Sequence, residues 1–236
     1  MIEARELSVS LGGRTILGPL SGELGAGVLL VAGPAQCGKT TLLKALCALV
    51  RPSAGSVTVD GVDLASSPEA AQKARSLLGM VFQNDALFDS LDATANVALP
   101  LLRRGVARPE ALERAREALA QVGLAGHEQA LPERLSGGMR KRLGLARAIV
   151  ARPRYLLADD PFAGLDPGTV ARMRDLLVGM WGGKGGLIMA LADPAPMWEV
   201  CTEALILDGG KVAARGEPRQ VRGEARVASL FGEAAA

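Results

Sequence analysis

The segment Gly33-Pro34-Ala35-Gln36-Cys37-Gly38-Lys39-Thr40 decides the fold of this chain. The apolar run from Val28 to Ala32 precedes it and predicts a buried strand, whereas the residues from Thr41 to Leu46 follow it and predict a helix. A glycine-rich turn that joins such a strand to a helix is the usual setting of a phosphate-binding loop. The segment therefore predicts a nucleoside triphosphate as the ligand.

Each residue type in this loop has a physical part in binding phosphates. Gly33 and Gly38 let the backbone curl with its N–H groups facing inward, and the start of the helix adds partial positive charge. Lys39 can reach the β- and γ-phosphates, and the hydroxyl of Thr40 is the expected Mg²⁺ ligand. The alternative is a glycine-rich turn without a ligand, against which the flanking strand and helix count. The expected nucleotide-binding residues are Gly33, Pro34, Ala35, Gln36, Cys37, Gly38, Lys39, Thr40 and Thr41.

Length and composition limit the class of protein. The chain has 236 residues, of which 49% are hydrophobic, and this fits one large domain or one domain with an inserted lobe. No apolar run has the length of a membrane span and the N-terminus has no secretion-signal pattern, so we expect a cytosolic protein. A net charge of +2 and 3% aromatic residues give little support for a nucleic-acid partner. The three cysteines, Cys37, Cys47 and Cys201, have no metal-type spacing, and we expect no disulfide.

The order of strand and helix patterns predicts an α/β fold. Residues 2–11 alternate in polarity and lead through Gly12-Gly13 into a second strand, which indicates an antiparallel start. The pattern becomes helical from about residue 86 to 151, which indicates a helical lobe inserted into an α/β frame with a parallel sheet. The tail from Glu233 to Ala236 is expected to fray. Further predicted strands are 56–59, 78–82, 155–158, 186–192, 204–208 and 211–215, with a helix at 168–180 and a small helical segment at the C-terminus.

Two carboxylates follow the predicted strand at 155–158. Ligands bind at the carboxyl ends of strands in open α/β sheets, so Asp159 is placed to hold Mg²⁺ through its water shell. Asp160 points elsewhere, which suits a group that orients or partly deprotonates an attacking water. The alternative is a pair of acidic residues that begins a turn before Pro161. A phosphate loop in the same chain counts against that alternative.

A second anion-binding pattern lies in Leu135-Ser136-Gly137-Gly138-Met139. Ser136 can donate a hydrogen bond, and Gly137 and Gly138 at a helix entrance let a phosphate approach the backbone N–H groups. Since the chain already has one phosphate loop, this second pattern is explained if it covers the γ-phosphate bound to a neighbouring copy in a symmetric dimer. The alternative is an ordinary serine N-cap followed by glycines.

Taken together, the sequences GPAQCGKT, VFQN, LSGGM, LLADD and GLDP occur in the order and approximate spacing of an ABC-type ATPase, and the chain resembles the nucleotide-binding subunit of an ABC transporter nearly end to end. The resemblance implies a P-loop core with an N-terminal antiparallel β-subdomain and an inserted helical subdomain, all within one domain covering residues 1–236. It also implies ATP and Mg²⁺ as cofactors, a second ATPase subunit and an integral membrane permease as partners. By this resemblance Gln83 would be a further Mg²⁺ ligand that senses the ion and nucleotide and links the core to the helical lobe, and Asp166 would lie at the dimer seam. Read without it, Gln83 is a polar residue at a strand end and Asp166 a turn or N-cap residue.

Finer details resemble the Mla/Mkl branch, the ATPases associated with Mce-type lipid transporters. These details are the segment at residues 87–102, Met139 after LSGG, and the sequence DDPFAGLDP. The resemblance implies phospholipid or other lipid transport, an Mce-type lipid-binding protein as a further partner, and a location on the inner face of the cell membrane through the permease. Residues 87–102 would lie near the permease, although an internally packed helix explains their leucines equally well.

Three positions depart from the ABC pattern. Asp160 stands where the family has glutamate and Ala192 where it has the switch histidine, while Leu11 stands where relatives often stack adenine on an aromatic ring. The shorter carboxylate and the missing imidazole predict slow hydrolysis, and Leu11 predicts weaker base discrimination. The alternative to a slow ATPase is a degenerate subunit that dimerises on ATP without useful hydrolysis. A third class, a soluble ABC protein acting on nucleic acid, is not supported by the modest charge.

Overall fold

The fold consists of two sheets, a set of helices packed on them and a helical lobe. The computed structural model describes residues 1–84, 86–181 and 185–232. The strands are β1 (Ile2–Leu11), β2 (Arg14–Leu24), β3 (Gly27–Ala32), β4 (Ala54–Val59), β5 (Val62–Asp63), β6 (Leu78–Val81), β7 (Tyr155–Asp159), β8 (Gly186–Leu191), β9 (Glu203–Asp208) and β10 (Lys211–Gly216). The helices are α1 (Lys39–Leu46), α2 (Pro68–Ser76), α3 (Ala93–Leu102), α4 (Arg108–Gln121), α5 (Gly137–Ile149), α6 (Pro167–Trp181), α7 (Pro218–Gly223) and α8 (Ala225–Phe231).

The first sheet is antiparallel and has the strand order β2-β1-β4-β5. It begins with the predicted hairpin, in which Leu11 pairs with Arg14 across Gly12-Gly13. Both glycines have positive φ, which the tight connection between β1 and β2 requires. The predicted antiparallel start of the chain is therefore confirmed.

The second sheet has the order β10-β9-β3-β8-β7-β6, and its strands are parallel except for the last pair, β9 and β10. Alternate residues of β3 face two different cores: Val28, Leu30 and Ala32 pack into one, and Leu29 and Val31 into the other. A strand covered on both faces has no polar side, which explains its continuous apolar sequence. The predicted α/β core with a parallel sheet is confirmed.

The helical lobe lies between β6 and β7, where α3, α4 and α5 pack on one another and share the core that lies on one face of the second sheet. The predicted helical stretch at 86–151 is interrupted by loops, and residues 87–92 are not helical. The structure adds α2, which sequence patterns did not predict. The expected fraying of residues 233–236 lies outside the described residues. No helix within the described ranges is both long and apolar enough to cross a membrane.

Asn96 fixes the loop that leads into α3. Its side chain is completely buried; its Oδ1 accepts a hydrogen bond from the Phe88 N–H at 2.9 Å, and its Nδ2 donates to the carbonyls of Phe88, Leu91 and Asp92 at 3.0, 2.8 and 3.1 Å. The Asp92 side chain caps the helix by accepting from the Ala95 N–H. One amide side chain thus binds four backbone groups of the turn, and Phe88 is left 44% exposed at its surface.

We expect Asn96→Ala to lower the free energy of unfolding by about 3 kcal/mol, because the completely buried amide and its four hydrogen bonds to the turn are lost. The matched control is Thr94→Val, which removes one hydrogen bond, from the Thr94 hydroxyl to the Glu128 carbonyl, and should cost about 1 kcal/mol. Urea denaturation of the three proteins measures the difference. Equal losses in the two variants would contradict this account of the loop.

Candidate functional site

The phosphate loop, Gly33–Thr40, connects β3 to α1 at the carboxyl edge of the second sheet. Its backbone takes positive φ at Gly33, Gln36 and Gly38. A Cβ atom at Gly33 would lie 2.1 Å from the Leu207 carbonyl oxygen, and one at Gly38 would lie 3.0 Å from the Ile16 carbonyl oxygen. The loop is therefore enclosed by backbone on two sides, and a side chain at Gly33 would collide with the Leu207 carbonyl.

The start of α1 offers unsatisfied backbone donors. Its N-cap is Gly38, which supplies no side-chain hydrogen bond to the first turn. The ammonium of Lys39 donates to the carbonyls of Gly33 and Pro34 at 2.6 and 2.8 Å, which holds it over the loop. Positive charge and free N–H groups thus face the same space, which suits an anion.

A cavity of about 330 Å³ lies at the loop. Of the residues predicted to bind nucleotide, Gln36, Gly38, Lys39, Thr40 and Thr41 line it, and Gly33 and Pro34 contribute through their contacts to Lys39. Ala35 and Cys37 belong to the loop without lining the cavity, and Cys37 is buried. The other lining residues are Arg14, Thr15, Ile16, Gly209 and Gly210.

Thr40 and Asp159 meet beside the loop. The Thr40 hydroxyl donates to Asp159 Oδ1 at 3.0 Å, although the two residues are 119 positions apart in the chain. Burial raises the pKa of Asp159 above its ordinary value, and the nearby Asp160 carboxylate adds to the rise, whereas the Thr40 hydrogen bond and the ammonium groups of Lys44 and Lys39 oppose it. The pair presents two hard oxygen atoms next to the phosphate loop, which is the chemistry that Mg²⁺ prefers.

Asp160 follows β7 with a φ of 48°, and its N–H donates to the Ala190 carbonyl at 2.9 Å. Burial raises the pKa of Asp160, against the opposing charges of Lys141 and Lys39. Asp160 and Ala192 line one cavity of about 600 Å³, whose other walls are mainly apolar. The structure therefore places both departures from the ABC pattern, Asp160 and Ala192, on the wall of one cavity.

The predicted anion-binding residues Ser136, Gly137 and Gly138, here called the Ser136–Gly138 cradle, lie at the start of α5. Ser136 is the N-cap, and its hydroxyl oxygen accepts from the Met139 N–H at 3.3 Å. This contact uses a lone pair and leaves the hydroxyl hydrogen available to a ligand. Ser136 and Gly137 are exposed and Gly138 is half-buried. None of the three lines the cavity at the phosphate loop of the same chain.

Gln83 is exposed and lies with Gly137 and Gly164 along a cleft between the core and the helical lobe. Its carbonyl oxygen accepts from the Lys141 ammonium at 3.1 Å, and three residues later the Ala86 carbonyl accepts from Arg147 at 2.6 Å. No contact recorded among the described residues joins the Gln83 side chain to Thr40 or Asp159. The structure thus brings together two of the three predicted Mg²⁺ ligands.

Asp166 precedes α6 and is exposed. Its Oδ1 accepts from the Thr169 N–H at 3.0 Å, and hydrogen bonds from the Thr169 side chain and from this N–H lower the pKa of Asp166. The side chain therefore serves the helix N-terminus, as one of the two interpretations of this residue proposed. Its position on the surface is also compatible with a subunit contact.

Sequence patterns missed three cationic residues of this region: Arg14, Lys141 and Arg147. Arg14 lines the phosphate-loop cavity, whereas Leu11, which was expected to cover the base, is 53% exposed and does not line it. The contacts of Lys141 and Arg147 span 58 and 61 residues of sequence. No local motif signals such pairs. The sequence signal that could have pointed to Arg14 is the Gly12-Gly13 turn, which pairs Arg14 with Leu11 across the β1–β2 hairpin.

Comparison with known proteins agrees with this geometry. Residues 18–163 match the family model described as ABC transporter. The methionine import ATP-binding protein MetN of Myxococcus xanthus is 40% identical over 189 residues, which cover 79% of this chain and 57% of that protein. The taurine import ATP-binding protein TauB of Burkholderia pseudomallei is 41% identical, with coverage of 86% and 77%. The L-cystine transport system ATP-binding protein TcyN of Escherichia coli is 33% identical, with coverage of 91% and 89%.

Solved structures give the same result. A dimeric ATP-binding cassette in a post-hydrolysis state, bound to ADP and Pi, has a TM-score of 0.83 at 26% identity and covers 93% of this chain and 99% of its own. The cbiO1 protein of Clostridium perfringens, part of the ABC transporter complex cbiONQ, has a TM-score of 0.82 at 26% identity, with coverage of 97% and 92%. The chain belongs to the ABC transporter family. The chain spans little more than half the length of the methionine import relative.

The Gly209-Gly210 turn forms one wall of the phosphate-loop cavity, and substitutions at these two glycines test whether that wall supports ATP binding. Both glycines have positive φ, but a Cβ atom at Gly210 would lie 2.4 Å from the Ile16 carbonyl oxygen, whereas one at Gly209 would have open space. We expect Gly209→Ala to cost about 1 kcal/mol of stability from its backbone conformation alone. Gly210→Ala should cost more and should also weaken ATP binding, because β2 and the turn must separate. Urea denaturation and ATP titration of both variants measure this, and unchanged ATP affinity in Gly210→Ala would contradict it.

Proposed function

We propose that this chain is the ATP-binding subunit of an ABC transporter and binds ATP with Mg²⁺ at the phosphate loop. The observation that supports this best is the contact of the Thr40 hydroxyl with Asp159 Oδ1 beside the cavity at Gly38 and Lys39. Thr40 and Asp159 would hold Mg²⁺, with Gln83 as a further ligand. The ion would neutralise phosphate charge. The N–H groups at the start of α1 and the Lys39 ammonium would bind the phosphates themselves.

Hydrolysis is assigned to Asp160. This carboxylate follows Asp159 at the end of β7 and would orient a water for attack on the terminal phosphate. Its side chain is one methylene shorter than that of glutamate, and the methyl group of Ala192 offers no hydrogen bond to the phosphate. A displacement of a catalytic group by about 1 Å can cost roughly a hundredfold in rate. We therefore infer slow hydrolysis.

A second ATPase subunit completes the proposed site. Ser136 and Gly137 are exposed, and no residue of the Ser136–Gly138 cradle lines the phosphate-loop cavity of its own chain. In a symmetric dimer it would cover the γ-phosphate held by the partner, and Asp166 would lie at the seam. The dimeric cassettes among the structural relatives support this arrangement.

A second candidate function is a degenerate regulatory subunit that dimerises on ATP without useful turnover. Asp160 and Ala192, which line the same cavity, are the observation that favours it. Both residues would have to be replaced to restore the family pattern. The two candidate functions therefore differ in one measurable quantity, the rate of phosphate release.

We expect the purified chain, assembled with its membrane partner, to release phosphate faster than Lys39→Ala. Asp160→Asn should lose about a hundredfold or more of that rate, because the water loses its orienting carboxylate. Phosphate release is measured at saturating ATP for all proteins, together with the double variant Asp160→Glu, Ala192→His. Equal rates in wild type and Lys39→Ala, with a large gain in the double variant, would favour the regulatory function.

The transported solute is a separate proposal. The relatives compared above are named for methionine and taurine import and for cystine transport, so they favour a small polar solute. They give no support to the Mla/Mkl assignment, to lipid transport or to an Mce-type partner, which rest on residues 87–102, Met139 and the sequence DDPFAGLDP alone. We propose nutrient uptake through a separate permease, with the chain on the cytoplasmic face of the membrane and without a nucleic-acid partner.

Affinity purification from detergent-solubilised membranes tests the partner. We expect a permease with several membrane spans to co-purify, and Phe88→Asp to weaken its recovery because Phe88 is the exposed ring of the loop held by Asn96. Leu49→Asp, at another exposed hydrophobic residue, is the control. Co-purification of a permease together with Mce-type proteins would contradict the proposed nutrient uptake and favour lipid transport. Recovery without any membrane protein would contradict the transporter assignment.

A further inference from the structure

The phosphate-loop cavity has a second wall, whose residues lie outside the phosphate loop. Arg14, Thr15 and Ile16, at the start of β2, line it together with Gly209 and Gly210. Ile16 marks the end of this wall nearest the phosphate loop, because its carbonyl oxygen would lie 3.0 Å from a Cβ at Gly38. A strand rises about 3.3 Å per residue, so Arg14 lies roughly 7 Å beyond Ile16 along the strand. The cavity thus has a phosphate end and a far end.

Arg14 has no structural task among the described residues. Its side chain is exposed and forms no hydrogen bond, ion pair or ring contact with any of them. Other arginines of the core are used differently: Arg215, for example, binds Glu203 and the carbonyls of Ser21 and Glu23. An unpaired guanidinium at a ligand cavity is available to the ligand.

The residues at the far end of the cavity suit the nucleoside part of the nucleotide. Phosphates are accounted for by Lys39 and the N–H groups of α1, so the nucleoside extends toward the start of β2. Gly209 and Gly210 present only backbone there. Among the remaining wall residues, Arg14 alone has a flat, delocalised side chain, and a guanidinium plane stacks on the face of a base.

We propose that Arg14 is the base-contacting, affinity-determining residue of the nucleotide site, and that its guanidinium stacks on the purine in place of an aromatic ring. This inference rests on the proposed ATP-binding function and names a residue of the same site. Leu11, the residue paired with Arg14 across the hairpin, is then not the main base contact. The site should accept any purine nucleotide, because stacking does not distinguish one base edge from another.

The inference is tested by binding to the full chain, measured by calorimetry with Mg-ATP and with Mg-tripolyphosphate, which lacks the nucleoside. Arg14→Ala should weaken ATP binding about tenfold and leave tripolyphosphate binding unchanged. Arg14→Lys, which keeps the charge but not the plane, should bind ATP as weakly as Arg14→Ala. Arg14→Tyr, which restores a plane without charge, should recover the affinity. Arg51→Ala, an exposed arginine outside this cavity, is the control and should match wild type.

The possible results separate this inference from the proposed function. If wild type binds ATP, Lys39→Ala does not and Arg14→Ala binds as wild type does, only the inference fails. Equal losses for ATP and tripolyphosphate in Arg14→Ala, with recovery in Arg14→Lys, would make Arg14 a phosphate contact and would also overturn the inference. A wild-type chain that does not bind ATP overturns both. Thermal melting of each variant checks that the fold is intact, which the exposure of Arg14 favours.

Discussion

The close approach of backbone segments around the phosphate loop is the constraint on which the rest of the structure depends. The Leu207 carbonyl lies where a side chain at Gly33 would be, and the Ile16 carbonyl lies where one at Gly210 would be. The loop is therefore held between the β9–β10 turn and β2, which joins the antiparallel sheet to the parallel one. The Gly18 N–H donates to the Gly210 carbonyl at 2.8 Å and the Gly210 N–H to the Cys37 carbonyl at 3.2 Å, which fixes the same junction by hydrogen bonds.

This junction also explains the electrostatics of the site. A loop packed so closely keeps its N–H groups and Lys39 at the carboxyl edge of β3, and the neighbouring strands bring Asp159 and Asp160 to the same edge. Two partly desolvated carboxylates repel each other, and burial raises the pKa of both. Cations reduce that cost, which is why Lys39, Lys44 and Lys141 face them. Opposite charges thus converge at this edge of the sheet, and this combination suits a metal–triphosphate complex.

The sequence predicts the parts of the molecule that depend on local patterns. The phosphate loop, the first and last hairpins and the buried strands β3, β7 and β8 are examples, because each is specified by adjacent residues. Helix α2 was missed although Ser67 caps it and Pro68 begins it, since only Ala71 and Ala74 bury side chains and the apolar period is weak. The contact of Lys141 with Gln83 and the position of Arg14 in the cavity depend on tertiary packing across distant segments, which no local pattern contains.

Helix α5 connects two parts of the site that the sequence treats as separate motifs. Its first residues follow Ser136, and Lys141 and Arg147 further along bind the carbonyls of Gln83 and Ala86. A helix transmits displacement along its axis because its backbone hydrogen bonds resist extension. The Ser136–Gly138 cradle and the backbone at Gln83 are therefore both attached to α5. Two hydrogen bonds from side chains to carbonyl oxygens make this connection.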